Sequence, residues 1–260
     1  MSIEEIIPPF PLPVRSLCLR CPIVPLELEQ VSLASVDEVS TFAVEKRLRE
    51  HLAGRWLLAQ ALEQWGLNPH QIEVKSTELR APVLSYLPGV WLNTPLPSMS
   101  IGHAAGWAYV ALIEHQWSIG IDAEPADRGI AENAYDMMAR GKELDWLRQN
   151  PSYAIELWTS KESVQKSMQM GMHMNPRNIE IPIGKGIRTL SIGKLKILKN
   201  YSKTDGVFLD SSNNEQEGSR YRFLLDGIAK YSLVVEYIKF LDGTGIIGLG
   251  GDFAGPKLLY

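Results

Sequence analysis

The sequence predicts an α+β fold in two halves, each with helices beside a small sheet. Three observations carry this. A long stretch with helical composition occurs in each half, and each runs into a glycine stop, at Gly66 and Gly171. Short β-rich runs surround both stretches. The chain of 260 residues is 45% apolar, enough for one large domain or two compact ones with a sizeable core.

Taken in order, residues 16–28 alternate loosely and read as a strand. Ser35 opens a helical region as its cap, with Glu38 three residues on as the return partner. A second helix covers Glu45–Trp65 and stops at Gly66. Residues 68–100 hold Pro69, Pro82, Pro88, Pro95 and Pro97, and read as short strands and loops. Residues 107–113 and 118–122 are apolar, β-rich runs around Glu114-His-Gln-Trp, a hairpin signal. The second half follows the same plan. Residues 131–149 read as a helix weakened by Gly141 and stopped at Asn150-Pro151. Residues 152–170 read as another, capped by Gly171. Strand-like runs follow at 179–183, 187–198, 206–209, 221–225 and 231–240, with a polar loop at 210–218. The glycine-rich stretch 245–255 has no following helix to complete a phosphate loop, so it reads as a flexible tail. The boundary between halves falls at 117/118.

Composition narrows the function. A net charge of -4 argues against a general nucleic-acid binder, which relies on neutralising phosphates. No apolar run is long enough for a membrane span. The start, Met1 to Val14, is acidic and then proline-rich, unlike a secretory signal, so a cytoplasmic protein is expected. Cys18 and Cys21 lack a second pair to complete a zinc site, and Pro22 and Pro25 follow instead of a redox helix; two reduced thiols are expected. The basic residues Lys185, Arg188, Lys194, Lys196, Lys199 and Lys203 read as a solvated face, or alternatively as a dock for an acidic partner.

Two short stretches carry chemistry. Gly-Ile-Asp-Ala-Glu at 120–124 reads as a strand, so Asp122 and Glu124 share a face, roughly 7 Å apart along the backbone. Trp-Thr-Ser-Lys-Glu-Ser-Val-Gln-Lys at 158–166 reads as a helix, and its i, i+4, i+8 spacing puts Trp158, Glu162 and Lys166 in one stripe. Strand and helix together would gather three carboxylates beside a lysine. Carboxylate oxygens suit magnesium, which usually shares them with substrate phosphates.

These motifs, in this order and about forty residues apart, resemble the 4′-phosphopantetheinyl transferase superfamily, whose pattern is G-I-D-x-E and then W-x-x-K-E-S/A-x-x-K. The resemblance is to its large, surfactin-type class, including the enterobactin-associated branch. It implies a pseudo-dimer of two similar α+β halves with the active site between them: residues 1–117 contacting the coenzyme A nucleotide and 118–260 carrying the metal and catalytic motifs. The implied reaction moves 4′-phosphopantetheine from coenzyme A to a serine of an apo acyl or peptidyl carrier protein, releasing 3′,5′-ADP. The resemblance assigns Asp122, Glu124 and Glu162 to Mg2+, Glu162 to the base, and Lys166 to the leaving phosphate. Trp158 anchors the helix by packing, and Lys161 either binds phosphate or pairs with a carboxylate. Arg47 and Arg55 match positions on the family's first helix that face coenzyme A. Arg80 stands in a Gly-Lys/Arg-x-Pro element whose glycine is Leu79 here. His103 matches the histidine of N-I/L-S-H-S-x-x-W, although Ser100, Gly102 and Ala104 replace the asparagine and both serines. A chain with both halves completes its cleft alone, so a monomer is expected. The competing readings are a non-catalytic relative that binds coenzyme A or a carrier protein, and a magnesium-dependent phosphohydrolase.

Overall fold

The computed structural model describes residues 1–7, 14–115, 117–179, 181, 188–191, 232–239 and 246–250. The expected strands at 206–209 and 221–225, the loop at 210–218, and all of the basic run but Arg188 lie outside them.

The first half is an antiparallel sheet carrying one long helix. Strands β1 (Glu4–Glu5) and β2 (Ser16–Pro22) are followed by the one-turn helix α1 (Val36–Val39) and by α2 (Glu45–Trp65). After the β3 (Ile72–Ser76) and β4 (Pro82–Tyr86) hairpin come β5 (Ser98–Ala104) and β6 (Trp107–Ile113). The sheet order is β1-β2-β6-β5, and α2 packs across β2, β6 and β5. Leu57, Leu58 and Leu62 of α2 meet Leu19, Val110 and Leu112 of the sheet in one core. The helix ends where predicted: Gly66 takes φ +90°, its N–H donates to Glu63 O, and the Leu67 N–H donates to Leu62 O. The cap on α1 also forms, with the Glu38 N–H donating to Ser35 Oγ at 3.2 Å. Cys18 and Cys21 lie buried on β2, and burial pushes their thiols up to about 12 and about 11.

The hairpin expected between 107–113 and 118–122 does not form. Strand β6 already has β2 on one edge and β5 on the other, so it has no edge left to offer. Its hairpin partner is β5, joined through Ala105 (φ +48°) and Gly106 (φ +80°), the pair of positive φ values that a two-residue primed turn needs.

The second half holds β7 (Gly120–Glu124), α3 (Tyr135–Met138), α4 (Gly141–Gln149), α5 (Ala154–Ser167), β8 (Arg188–Ser191), β9 (Ser232–Lys239) and β10 (Ile246–Gly250). The sheet order is β7-β10-β9-β8, all antiparallel, with α5 against β7, β10 and β9. Residues 246–250 are therefore an inner strand and not a flexible tail: Gly248 lies opposite Asp122, and Gly250 opposite Gly120. Glycine marks close approach here. A Cβ on Gly120 would sit 1.9 Å from Ser163 O and 2.6 Å from Ser167 N, so α5 rests almost directly on the β7 backbone.

Two helices are shorter than expected. The helix at 131–149 breaks at Ala139 and Arg140, both extended, before Gly141 (φ +54°) starts α4. The helix at 152–170 loses its first two residues to the 3₁₀ turn Pro151–Tyr153 and stops at Ser167. The left-handed stop is Gln169 (φ +56°): its N–H donates to Lys166 O, and the Met170 N–H to Gln165 O. Gly171 instead opens a following 3₁₀ turn.

The halves meet edge to edge. Strand β5 packs on β7, and the Ile121 N–H donates to Ser100 Oγ at 2.9 Å. A Cβ on Gly102 would lie 3.2 Å from Ile121 O, so a side chain there would press on this junction. At the tip of the β3–β4 hairpin, Leu79 packs against the second-half core around Met138, Leu147 and Met174.

Candidate active site

Close packing of α5 on β7 decides which of its residues face the junction. From Leu157 to Ser167, only Trp158, Glu162 and Lys166 escape burial, the same stripe the sequence spacing predicts. Trp158 packs against the second-half core. Lys166 reaches back to β7, where Nζ donates to Asp122 Oδ1 at 2.7 Å and to Ile121 O at 3.1 Å. Asp122 is 4% exposed, and its Oδ2 is buried without a hydrogen-bond partner. Glu162 feels the same surroundings. Burial foremost, then the Asp122 carboxylate, pushes its pKa up to about 7; Lys166 pulls against this, and Glu124 adds to the rise.

Glu124, on the same face of β7, is held elsewhere. Its Oε1 pairs with Arg128 Nη1 at 2.5 Å, across the turn closed by the Arg128 N–H on Pro125 O. Arg128 was not apparent as a site residue in the sequence, because a cation four residues past a strand has no periodic signature. Among the described residues, no three His, Cys, Asp or Glu side chains are already drawn into a closed metal cage. The cause is visible in the pairing: Lys166 holds Asp122 and Arg128 holds Glu124. The donor chemistry nevertheless fits magnesium. A buried Asp122 oxygen has no donor from a nitrogen or hydroxyl, and burial beside the Asp122 carboxylate keeps the Glu162 carboxyl from ionising readily. Magnesium needs only one or two carboxylates, together with water and substrate phosphates, so a closed cage is not required.

His103 lies on β5 beside this cluster. Burial, then Lys166, lowers its pKa to about 4, while a backbone hydrogen bond at Glu50 opposes the shift. Nε2 is buried without a partner, so that bond uses Nδ1; the neutral ring then presents Nε2 as an acceptor. It can donate to a phosphate only after taking up a proton, which a nearby dianion would favour. Gly54 of α2 makes room for the ring, since a Cβ there would lie 2.8 Å from Nε2.

The other expected contacts divide. Arg47 stands 71% exposed on α2, paired with Glu50 at 3.0 Å. Arg55 is 5% exposed and pairs with Glu38 at 2.8 Å. Arg80 is exposed at the hairpin tip with φ +63°, and makes no ion pair among the described residues. This positive φ falls on the arginine, one residue after the position where the resembled element carries glycine.

Of the two roles expected for Lys161, the described residues show the pairing with a carboxylate. The side chain is fully buried, with Nζ donating to Glu143 Oε2 (2.5 Å), Met138 O (2.6 Å) and Pro176 O (3.0 Å), which uses all three ammonium protons. Glu143 also accepts from the Ile181 N–H at 2.9 Å, so this pair ties α4, α5 and the segment after α5 together. No sequence signal links a glutamate and a lysine eighteen residues apart on separate helices.

Residues 118–209 match the model of the 4′-phosphopantetheinyl transferase superfamily, a stretch that holds Asp122, Glu124, Glu162 and Lys166. No curated protein matches the chain. Among the described residues, no helix is long and apolar enough to cross a membrane.

Proposed function

We propose that this protein, whose residues 118–209 match the 4′-phosphopantetheinyl transferase superfamily model, transfers 4′-phosphopantetheine from coenzyme A to a serine of an apo acyl or peptidyl carrier protein, with Mg2+. The observation that carries the reading is Glu162 pressed against Asp122 with Lys166 between strand and helix, inside the matched stretch. The two sheets, each with its helix, support a large-class pseudo-dimer divided near 117/118, the first half meeting the nucleotide and the second holding the reaction centre.

Each group then has a task. Glu162, poised at about 7, accepts the proton of the attacking serine hydroxyl; a base near neutrality balances availability against strength. Asp122, Glu124 and Glu162 would hold Mg2+, which supplies charge neutralisation to a diphosphate when bound. Lys166 sits within reach to donate to the phosphate that leaves, moving off Asp122 as that carboxylate takes other partners. His103 and Arg47 would meet the nucleotide from the first half, with Arg80 on the hairpin tip that crosses to the second. The serine oxygen bonds to the β-phosphorus of coenzyme A, the bond to the bridging oxygen breaks, and 3′,5′-ADP departs with those electrons.

The test is intact-protein mass after incubation with Mg2+, coenzyme A and a panel of apo carriers. The expected result is a gain of one phosphopantetheine on a carrier, lost in Glu162→Gln by a factor on the order of 10²–10⁴. No gain on any carrier, with coenzyme A still bound, would favour the non-catalytic relative. Full activity in Glu162→Gln would remove the assigned base.

A further inference from the structure

The segment from Ser35 to Val44 is thinly attached. Helix α1 is a single turn with no extensive contact to another described helix or strand, and Val36 and Val44 both point outward. Two side chains tie the segment to α2. Glu38 places Oε1 2.8 Å from Arg55 Nη2 and Oε2 3.4 Å from His51 Nε2. Phe42 sets its ring 4.9 Å from that of His51. Underneath, Arg55 keeps Nε and Nη1 buried with no partner, and His51 Nε2 also lacks a hydrogen bond of good geometry. A guanidinium is built to fork onto two oxygens, yet Glu38 engages only one of its nitrogens. Leaving two buried N–H groups unmet is costly unless something else uses them.

We propose that Glu38 is the resident counter-ion of an anion site made by Arg55 and His51, and that a phosphate group enters by displacing Glu38 and lifting the strap of residues 35–44. The proposal rests on the coenzyme A reading for the identity of its ligand. Phosphate offers the several acceptor oxygens that Arg55 Nε and Nη1 lack, which one carboxylate held at the strap cannot supply. Glu38 is thus a competitor whose removal favours the ligand. A purely structural Glu38 would instead hold Arg55 in place, and its removal would weaken binding.

The test is calorimetric titration of the full chain with 3′,5′-ADP, wild type against Glu38→Gln. A competing pair that is partly exposed predicts about three- to fivefold tighter binding in the variant. The coenzyme A KM should fall by the same factor with kcat unchanged. In the wild type, backbone amides of residues 35–44 should exchange hydrogen faster with 3′,5′-ADP bound, while those around Arg55 slow. Equal or weaker binding by Glu38→Gln, protection of the strap by ligand, or no binding of 3′,5′-ADP to either form would each overturn the proposal. Failure to modify a carrier, with the Glu38→Gln effect intact, would count against the transfer reading and leave the strap supported.

Discussion

Helix α2 on the first sheet and helix α5 on the second occupy matching places and are buried by opposite chemistry. The buried residues of α2 are leucine, alanine and one glycine, with Arg55, paired to Glu38 of the 35–44 strap, as the one charged exception. On α5 the buried set includes Thr159, Ser160, Lys161, Ser163, Gln165 and Ser167. The hydroxyls are satisfied within the helix: Thr159 donates to Ile155 O, Ser160 to Glu156 O, Ser163 to Thr159 O and Ser167 to Val164 O, each at 2.8 Å. Small side chains that bond to their own helix let α5 settle on the Gly120 backbone. Leucines would hold the helix further away, and Lys166 would then not reach Ile121 O and Asp122. The first half spends its helix on cohesion, while the second trades apolar burial for proximity at the carboxylates.

The largest expected effect tests the buried charge in that interface. Lys161→Ala would strand Glu143 in the interior and should cost about 3–5 kcal/mol in denaturant unfolding. A variant that keeps full stability but raises the coenzyme A KM would return Lys161 to the phosphate role.

Two glycines make the next contrast. In Gly120→Ala the new methyl meets backbone atoms at 1.9 and 2.6 Å, which only a shift of the whole helix can relieve, so a loss of about 3 kcal/mol or more is expected. In Gly54→Ala the nearest atoms are the ends of the His103 and Ile101 side chains, which can rotate, and alanine favours the helix; a net loss near 1 kcal/mol or less follows. Equal losses would mean that α5 is no more tightly seated than α2.

The halves should also respond oppositely to pH. The folded pKa of Glu162 is raised to about 7, so its contribution is complete below the unfolded value and is lost as pH rises through about 7. Glu162→Gln should therefore melt higher than wild type above pH 7, while losing activity. The folded pKa of His103 is lowered to about 4, so its contribution is complete above its ordinary value and is lost as pH falls through about 4. His103→Gln should flatten the acid limb of the melting curve and leave the alkaline limb alone.

This contrast also explains what was legible in the sequence. The α2 boundaries at Glu45 and Gly66 were readable because a glycine stop and a leucine-rich face leave local marks. The Trp158, Glu162 and Lys166 stripe was readable from spacing alone. Strand β10 was not: the glycines of Ile-Ile-Gly-Leu-Gly look like slack in isolation, and its pairing with β7 and β9 exists only in the folded chain. The pairing of β6 with β5 was obscured because the β-rich run at 118–122 offered a second neighbour in sequence, and only the occupied edges exclude it. Lys161 was ambiguous because its partners, Glu143, Met138 and Pro176, come together only in the folded chain.

The account stands on α5 bringing Glu162 to Asp122 so that one cation can serve both. Titrating Mg2+ near pH 8, with the unfolding temperature as readout, tests this directly, since the carboxyl at about 7 is then ionised and uncompensated. The wild type should gain stability with Mg2+, and Glu162→Gln should start higher and gain little. An equal Mg2+ gain in both proteins would contradict the account.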